Sequence, residues 1–242
     1  MALIMDDADR KTPMTKSMKV VRVSKQECLA WIMLKHYSHR MPIFWKGFGL
    51  IVDDLLVGVC VYGQPSAPIQ SYAFNSRDFD LYELSRLVVD CPNQKNAASF
   101  LIANSLKKLK TPCAVVSYAD SAFGHVGIVY QASNFFYTGL VTGHGVSVVI
   151  DGRTKHSASL MSKGVGSPVA YAKKHNLKIQ PNSAKHRYFA FVGSRQEKQN
   201  MLSKLNYPIV LAYPKAEKTM YDAGPSLVVN AANKGHYRTS MI

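Results

Sequence analysis

Acidic residues are scarce in this 242-residue chain, where 15 Asp and Glu stand against 30 Lys and Arg for a formal net charge of +15. So basic a surface favours a polyanionic partner, because each phosphate that a cation neutralises releases condensed counterions. A basic protein without a nucleic-acid role is the alternative interpretation. The excess is uneven: residues 1–150 carry 15 basic and 11 acidic residues, net +4, whereas residues 151–242 carry 15 and 4, net +11.

Cysteines and long apolar runs are also few. The four cysteines form no CxxC pair and follow no secretory leader, which favours buried thiols in a reducing cytosol over disulfides or a zinc site. Asp53 and Asp54 interrupt the longest apolar stretch, so we expect no membrane-spanning segment. There is no glycine-rich phosphate-binding fingerprint, internal repeat or low-complexity tract. The 47% of hydrophobic residues still supports a real core in a soluble intracellular protein.

The sequence pattern of the N-terminal third predicts one helix followed by a hairpin. Residues 1–17 are polar and are expected to form a flexible arm. A capping box at Ser24 begins a helix whose apolar stripe ends at His36, next to Tyr37. His36 is either functional or a histidine stabilised by the dipole at the helix C-terminus. Two apolar strands then meet at Asp53-Asp54, and residues 63–73 are expected to form a loop.

A strand–loop–helix unit follows at residues 81–110. The strand carries Arg86, and the helix is expected to run from Ala97 to Lys110. The amides of its first turn could receive a pyrophosphate, because Ala97, Ala98 and Ser99 are small, with Gln94 and Lys95 nearby. An ordinary helix start is the alternative.

The segment of residues 115–139 brings polar side chains to the end of a strand. An apolar run at residues 114–116 begins a strand that ends at Asp120, and helix-like spacing follows from residue 126 to residue 136. Asp120, His125 and Tyr130 therefore lie where a strand opens into a helix, and ligands often bind at the carboxyl ends of strands.

The remaining chain is basic. A strand at 146–150, a short basic helix at 169–175 and a strand at 185–193 are predicted. After Ser194, lysines and arginines alternate with tyrosines, a pattern that suits phosphate contact and base stacking. A solvated basic tail is the alternative. We divide the chain into residues 1–17, a catalytic domain at 18–193 and a basic C-terminal extension at 194–242, expected to pack on that domain.

Several motifs together resemble the Mom family of phage DNA-modification proteins. They are His36-Tyr37 with SHRMP, YELSRLVVD with NAASFLIANSLKKL, SYADSAFGHVGIVYQASNFFYTG and KHRYFAFVG. The resemblance implies an α/β (α+β) fold of the GNAT acyltransferase type, with a central mixed, mostly antiparallel sheet flanked by helices. It also implies an enzyme that converts adenine N6 in duplex DNA to a carbamoylmethyl derivative, which protects phage DNA from restriction in the cytoplasm of the infected bacterium.

The resemblance further implies site residues. The functional set maps onto His36, Tyr37, Asp120 and Tyr130, with Arg86 orienting the donor. These four side chains are a mixed N/O set that suits iron, or else Asp120 or His36 is a general base and Tyr130 a proton donor. For acetyl-CoA or another small acyl or amide donor, the backbone and loop residues are Leu87, Val88, Val89, Gln94, Lys95, Asn96, Ala97, Ala98 and Ser99. Asn96 and Ala98 replace the glycines that are usual in this loop, which favours a donor other than CoA.

Double-stranded DNA is the expected partner, with the target adenine flipped out of the helix. The residues predicted to contact it are Arg40, Lys155, Lys173, Lys174, Lys185, Arg187, Arg195 and Lys198. The sequence does not decide whether the protein forms a homodimer. Two competing functions are an acetyl-CoA-dependent N-acetyltransferase of a protein or amine, and a DNA-binding protein without enzymatic activity.

Overall fold

A computed structural model describes residues 17–92, 94–142, 145–161, 163–215, 227–230 and 238–241. The strands in these ranges are β1 (Met18–Val23), β2 (Lys46–Val52), β3 (Leu55–Gly63), β4 (Asp80–Val89), β5 (Cys113–Asp120), β6 (Phe136–Val141), β7 (Val146–Ile150), β8 (Arg153–His156), β9 (Ile179–Pro181), β10 (Lys185–Val192), β11 (Leu227–Asn230) and β12 (Arg238–Met241). The helices are α1 (Lys25–Lys35), α2 (Ala67–Tyr72), α3 (Ala97–Leu106), α4 (Ile128–Gln131), α5 (Ser157–Met161), α6 (Pro168–Lys174) and α7 (Arg195–Ser203).

The chain forms two compact units. One comprises Met1–Gln64, Ser85–Lys108 and Asp222–Ile242, and the other comprises Pro65–Leu84 and Leu109–Tyr221. Strand β4 contributes its first half to the second unit and its second half to the first. Strands β1 to β4 follow one another in the sheet, and the order continues from β4 through β5 and β10 to β6.

In the first unit, α1 packs against an antiparallel sheet. Ser24 and Glu27 form the predicted capping box, which satisfies two backbone amides at the start of α1. Strands β1, β2 and β3 pair antiparallel, and the hairpin turn at Asp53 and Asp54 has φ angles of 48° and 61°. These positive angles match the twist of the strands that flank a tight hairpin. Buried Trp31 of α1 belongs to the core cluster of this unit.

In the second unit, β5 lies between β4 and β10. Strands β4 and β5 are parallel, with pairs from Asp80–Cys113 to Leu84–Ser117, whereas β10 is antiparallel to β5 and β6. In the core of this unit, the rings of Phe79 and Phe189 each meet the Phe74 ring edge to face. A separate small sheet, β8-β7-β9, packs against α5 and α6 over a small core at Val148.

The predicted mixed, mostly antiparallel sheet flanked by helices is confirmed. Two local predictions are wrong. The expected helix at residues 126–136 is reduced to α4, because Asn134 adopts a left-handed φ of 59° and the chain then enters β6. The expected loop at 63–73 contains α2, which has a proline in its first turn, where the missing amide is tolerated.

The helix predicted from Ala97 to Lys110 ends earlier, at Leu106. All four cysteines are free thiols, three of them buried and Cys91 half-buried. Among the described residues, no helix has the length and apolar character that a membrane span requires. The predicted division into an arm, a catalytic domain and a C-terminal extension stays a prediction, and most of the arm lies outside the described residues.

Candidate active site

Asp120 is the last residue of β5, and its carboxylate is buried at 5% exposure. The antiparallel register places Lys185, the first residue of β10, directly opposite. The Lys185 ammonium donates to Asp120 Oδ2 at 2.7 Å, and the Ala122 amide donates to Oδ1 at 3.1 Å. Both carboxylate oxygens therefore accept a hydrogen bond from a group that stabilises negative charge.

The charge of Asp120 follows from these contacts. Burial raises the pKa of Asp120, but the hydrogen bonds from Lys185 and Ser183, the Lys185 charge and the Ala122 amide outweigh burial and hold the pKa below its ordinary value. Asp120 is consequently a carboxylate at neutral pH. Burial also lowers the pKa of His125, and the nearby Asp120 charge opposes this only in part. His125 is thus a neutral neighbour of the carboxylate.

Tyr130 lies on α4 within an aromatic cluster. Its buried ring is 5.5 Å from Phe135 and 5.4 Å from Tyr188, measured between centroids. Gly127 precedes α4 with φ of 79°, and a Cβ there would lie 2.5 Å from the Tyr188 ring, so glycine is required for this close approach. The Tyr188 hydroxyl donates to the Val126 carbonyl, and burial raises the pKa of Tyr188 to about 12. The second unit therefore holds Asp120 and Tyr130 on a rigid strand–helix connection.

His36 caps the C-terminal end of α1 in the first unit, and its ring lies 4.3 Å from that of Tyr37. The Ser38 amide donates to His36 Nδ1 at 3.1 Å, and the Ser38 hydroxyl lies 2.8 Å from the same nitrogen. An amide N–H can only donate, so Nδ1 is the acceptor and neutral His36 carries its proton on Nε2. In this tautomer His36 presents a hydrogen-bond donor at Nε2.

Arg86 lies on the second half of β4, half-buried. Its Nε donates to the Arg40 carbonyl at 3.0 Å, and one Nη donates to the Ser85 carbonyl at 2.6 Å. These two bonds set the plane of the guanidinium, which suits bidentate recognition of an amide, carboxylate or phosphate. Asp90, which follows β4, forms an ion pair with Lys35 at 2.5 Å.

In the predicted donor loop, one of the two residues that replace glycines has a left-handed backbone. Asn96 adopts a left-handed φ of 62° at the N-cap of α3, a conformation that asparagine tolerates better than most residues. Its side chain does not cap the helix, while its carbonyl accepts from the Phe100 amide at 2.8 Å. Val88 and Ala97 are buried and Lys95 is exposed. The Asn96 side chain thus accepts no hydrogen bond from the amides in the first turn of α3. An anion site at a helix start uses such amides as its donors.

The iron prediction finds no support in the described residues. The predicted ligands are divided between the units, with His36 and Tyr37 in one and Asp120 and Tyr130 in the other. The Asp120 carboxylate holds the Lys185 ammonium, and His36 Nδ1 already accepts from an amide. Within the described part of the chain, no three His, Cys, Asp or Glu side chains gather as a metal ion requires. Iron at His36, Tyr37, Asp120 and Tyr130 therefore stays a prediction without structural support.

The predicted DNA-contacting residues fall into two groups. Exposed side chains are Arg40, Lys173, Lys174, Arg195 and Lys198, and Lys155 is half-buried. Lys185 and Arg187, by contrast, make contacts within the protein. Arg187 donates to Thr138 Oγ1 at 2.9 Å, and its guanidinium carbon lies 3.3 Å from the centre of the Tyr207 ring. Their role toward DNA stays a prediction.

Two partners were missed by reasoning from the sequence. Lys185 is 65 residues from Asp120, and only the register of β10 on β5 brings them together. Ser38 orients His36 from two residues away. The serine in the SHRMP motif was available as a signal, since short-range bonds from serine to nearby polar groups are common.

The sequence model of the Mom protein family matches residues 17–209. The chain therefore belongs to the Mom protein family, and the predicted resemblance is confirmed. One relative is the methylcarbamoylase Mom of Escherichia phage Mu, which is 27% identical over 212 residues, covering 83% of this chain and 85% of the relative.

Two acetyltransferases are among the solved structures to which this chain is similar. NAA60 of Arabidopsis thaliana, in complex with acetyl-CoA, has a TM-score of 0.46 and 11% identity, covering 73% of this chain and 100% of that one. A GNAT-family acetyltransferase of Bacillus cereus has a TM-score of 0.40 and 13% identity, covering 74% and 99%.

Proposed function

We propose that this protein transfers a carbamoylmethyl group to N6 of adenine in double-stranded DNA, as the name methylcarbamoylase suggests for the phage Mu relative. Membership of the Mom family, over residues 17–209, is the observation that carries the proposal. The net charge of +15 supports a DNA substrate. Modification of adenine in this way would protect the DNA against restriction enzymes that read it.

In the proposed reaction, adenine N6 forms a bond to the CH₂ carbon of a two-carbon unit that ends in an amide. The bond from that carbon to its leaving group breaks, and its electron pair departs with the leaving group. N6 loses one proton. The N6 lone pair is delocalised into the ring, so N6 becomes acidic only as the new bond forms. A carboxylate with a low pKa is then a sufficient base, and we assign this role to Asp120.

Side chains of the first unit are assigned to the donor. The guanidinium of Arg86, oriented by two backbone carbonyls, would hold the donor amide. Neutral His36 would donate from Nε2 to an oxygen of the donor or its leaving group. The α3 N-terminus at Asn96 would receive a phosphate if the leaving group on the CH₂ carbon of the donor is a phosphorylated carrier.

The test is mass spectrometry of nucleosides from plasmid DNA of cells that express the protein. Wild type should produce the N6-modified adenosine, and Asp120→Ala should abolish it while duplex binding, measured by fluorescence anisotropy, is kept. Asp78→Ala is the matched control, because Asp78 also pairs with a lysine, Lys204 at 2.9 Å, but is exposed. Modified adenine from Asp120→Ala cells would refute the assignment of Asp120.

The same experiment separates the competing functions. An N-acetyltransferase of a protein or amine would leave adenine unmodified and bind CoA in calorimetry. The left-handed backbone of Asn96 at the start of α3 is the observation that favours the N-acetyltransferase function. A DNA-binding protein without activity would shift the anisotropy of duplex DNA and produce no modified nucleoside.

A further inference from the structure

The chain turns sharply after Asp120 and exposes a large aromatic side chain. Residues Ser121–Phe123 form a 3₁₀ turn with Asp120 as its N-cap. Phe123, only three residues from the buried carboxylate, is 52% exposed. Its position beside the candidate active site makes this exposed ring a candidate contact for the substrate.

The turn is rigid. The Ser121 amide and hydroxyl both donate to the Ala184 carbonyl, at 3.1 Å and 2.7 Å. The Ala122 amide donates to the Asp120 carboxylate, and the Gly124 amide donates to the Ser121 carbonyl at 3.0 Å. Phe123 is therefore presented by a turn that is tied to β5 and to the chain just before β10.

Exposed residues flank Phe123 along the chain. A Cβ built at Gly124 meets no described atom within 4 Å, so this side of the turn faces solvent. The His125 ring lies 6.1 Å from Phe123, and Ile128 at the start of α4 is 55% exposed. Lys185, whose side chain is 42% exposed, pairs with Asp120 at the same end of the sheet. An apolar projection beside the candidate active site suits insertion between two stacked bases.

An enzyme that modifies N6 within a duplex must move the adenine out of the stack, because the paired base hides N6. The gap that remains is commonly filled by an apolar side chain that inserts between base steps. Such a side chain must lie within about one nucleotide of the catalytic group. Residues three apart in a 3₁₀ turn are separated by about 6 Å along its axis, which meets this requirement.

We propose that Phe123 is the wedge that enters the DNA stack and holds the target adenine out of the helix while Asp120 receives its N6 proton. This inference rests on the proposed function, since it needs duplex DNA with a flipped adenine as the substrate. Phe123 is thus a positioning residue that acts on the DNA and not on the reacting atoms.

The proposal is tested with purified full-length protein and a duplex in which 2-aminopurine replaces the target adenine. The fluorescence of 2-aminopurine rises when the base leaves the stack, and no donor is needed. Wild type should raise it, and Phe123→Ala should lower the rise by about tenfold, while Phe123→Leu keeps part of it. Tyr72→Ala is the matched control, because Tyr72 is an aromatic residue of the same unit that is 69% exposed.

A second substrate separates wedging from folding. With an abasic site opposite 2-aminopurine, the base is already unpaired, so Phe123→Ala should recover most of the wild-type signal. Equal signals from wild type and Phe123→Ala on the intact duplex would overturn the wedge. So would wild-type protein that modifies adenine in cells yet produces no 2-aminopurine signal. Absence of modified adenine from wild-type cells would instead overturn the proposed function.

Discussion

The tautomer of His36 is decided by one backbone amide. Because the Ser38 N–H points at Nδ1, a proton on that nitrogen would face another donor at 3.1 Å. A histidine that binds metal through Nε2 usually donates Nδ1–H to an acceptor, which is the opposite arrangement. His36 is better suited to donate a hydrogen bond than to bind a metal or to accept a proton at Nε2.

Nitrogen-15 NMR of the imidazole rings tests this tautomer. At a pH where the ring is neutral, His36 should show a protonated Nε2 and an unprotonated Nδ1. His39 is an internal control with the opposite expectation, because its Nδ1 lies 2.8 Å from the Met33 carbonyl, which can only accept. A protonated Nδ1 at His36 would contradict the assignment.

The His36 hypothesis also predicts the order of two variants. A glutamine amide reaches the position of Nε2, whereas an asparagine amide reaches only that of Nδ1. His36→Gln should therefore retain about tenfold more modified adenine in cellular DNA than His36→Asn, because it keeps the donor. Equal losses would indicate that Nε2 donates no bond that matters for the reaction.

At the scale of elements, the pairing of β5 with β10 places the Lys185 ammonium against the Asp120 carboxylate of the candidate active site. A shift of one residue in the register of β10 on β5 would turn the Lys185 side chain to the other face of the sheet. With the pair intact, the native pKa of Asp120 is lower than in the unfolded chain, where it is near 3.9. The resulting stabilisation is fully present above the unfolded pKa and is lost as the pH falls through the native pKa.

Lys185→Met should consequently raise the pKa of Asp120, because burial remains and the lysine no longer opposes it. Carbon-13 NMR titration of the aspartate carboxyls measures this change. In urea unfolding, the difference in free energy between wild type and the variant should be larger at pH 7 than at pH 3. Lys108→Met, which changes an exposed lysine, is the control. An unchanged Asp120 titration would show that the ion pair does not form in solution.

The helices and strands also show which structures can be predicted from sequence patterns. The capping box at Ser24 and the Asp53-Asp54 hairpin were predicted correctly, because each depends on residues within a few positions. The helix expected at 126–136 was wrong, because α4 ends at Gln131 and Asn134, with a left-handed φ of 59°, turns the chain into β6. Packing in the sheet decided between two structures that the spacing alone could not distinguish.

For the whole molecule, positive charge dominates the expected binding to DNA. The small sheet β8-β7-β9 with α5 and α6 carries Lys173 and Lys174 exposed in the last turn of α6. If both contact phosphates, each should add about 0.9 to the slope of log affinity against log salt concentration. The basic charge would then act through particular side chains of this small sheet and its helices.

The double variant Lys173→Gln, Lys174→Gln should weaken duplex binding and reduce the salt slope by about 1 to 2. Fluorescence anisotropy over a series of salt concentrations measures both. Lys107→Gln with Lys108→Gln is a matched control, since these are also adjacent exposed lysines at the end of a helix. The same reduction in both double variants would mean that net charge, and not this surface, governs binding.

The sequence by itself determined the charge, most of the helices and strands, and membership of the Mom family through motifs that are local in the chain. It also singled out Asp120 at the end of a strand. Only the tertiary structure decided that Lys185 sets the charge of Asp120 and that Phe123 stands exposed beside it. The reason is physical: caps and periodicity arise within a few residues, whereas charge pairing and exposure depend on strand register and on what packs nearby.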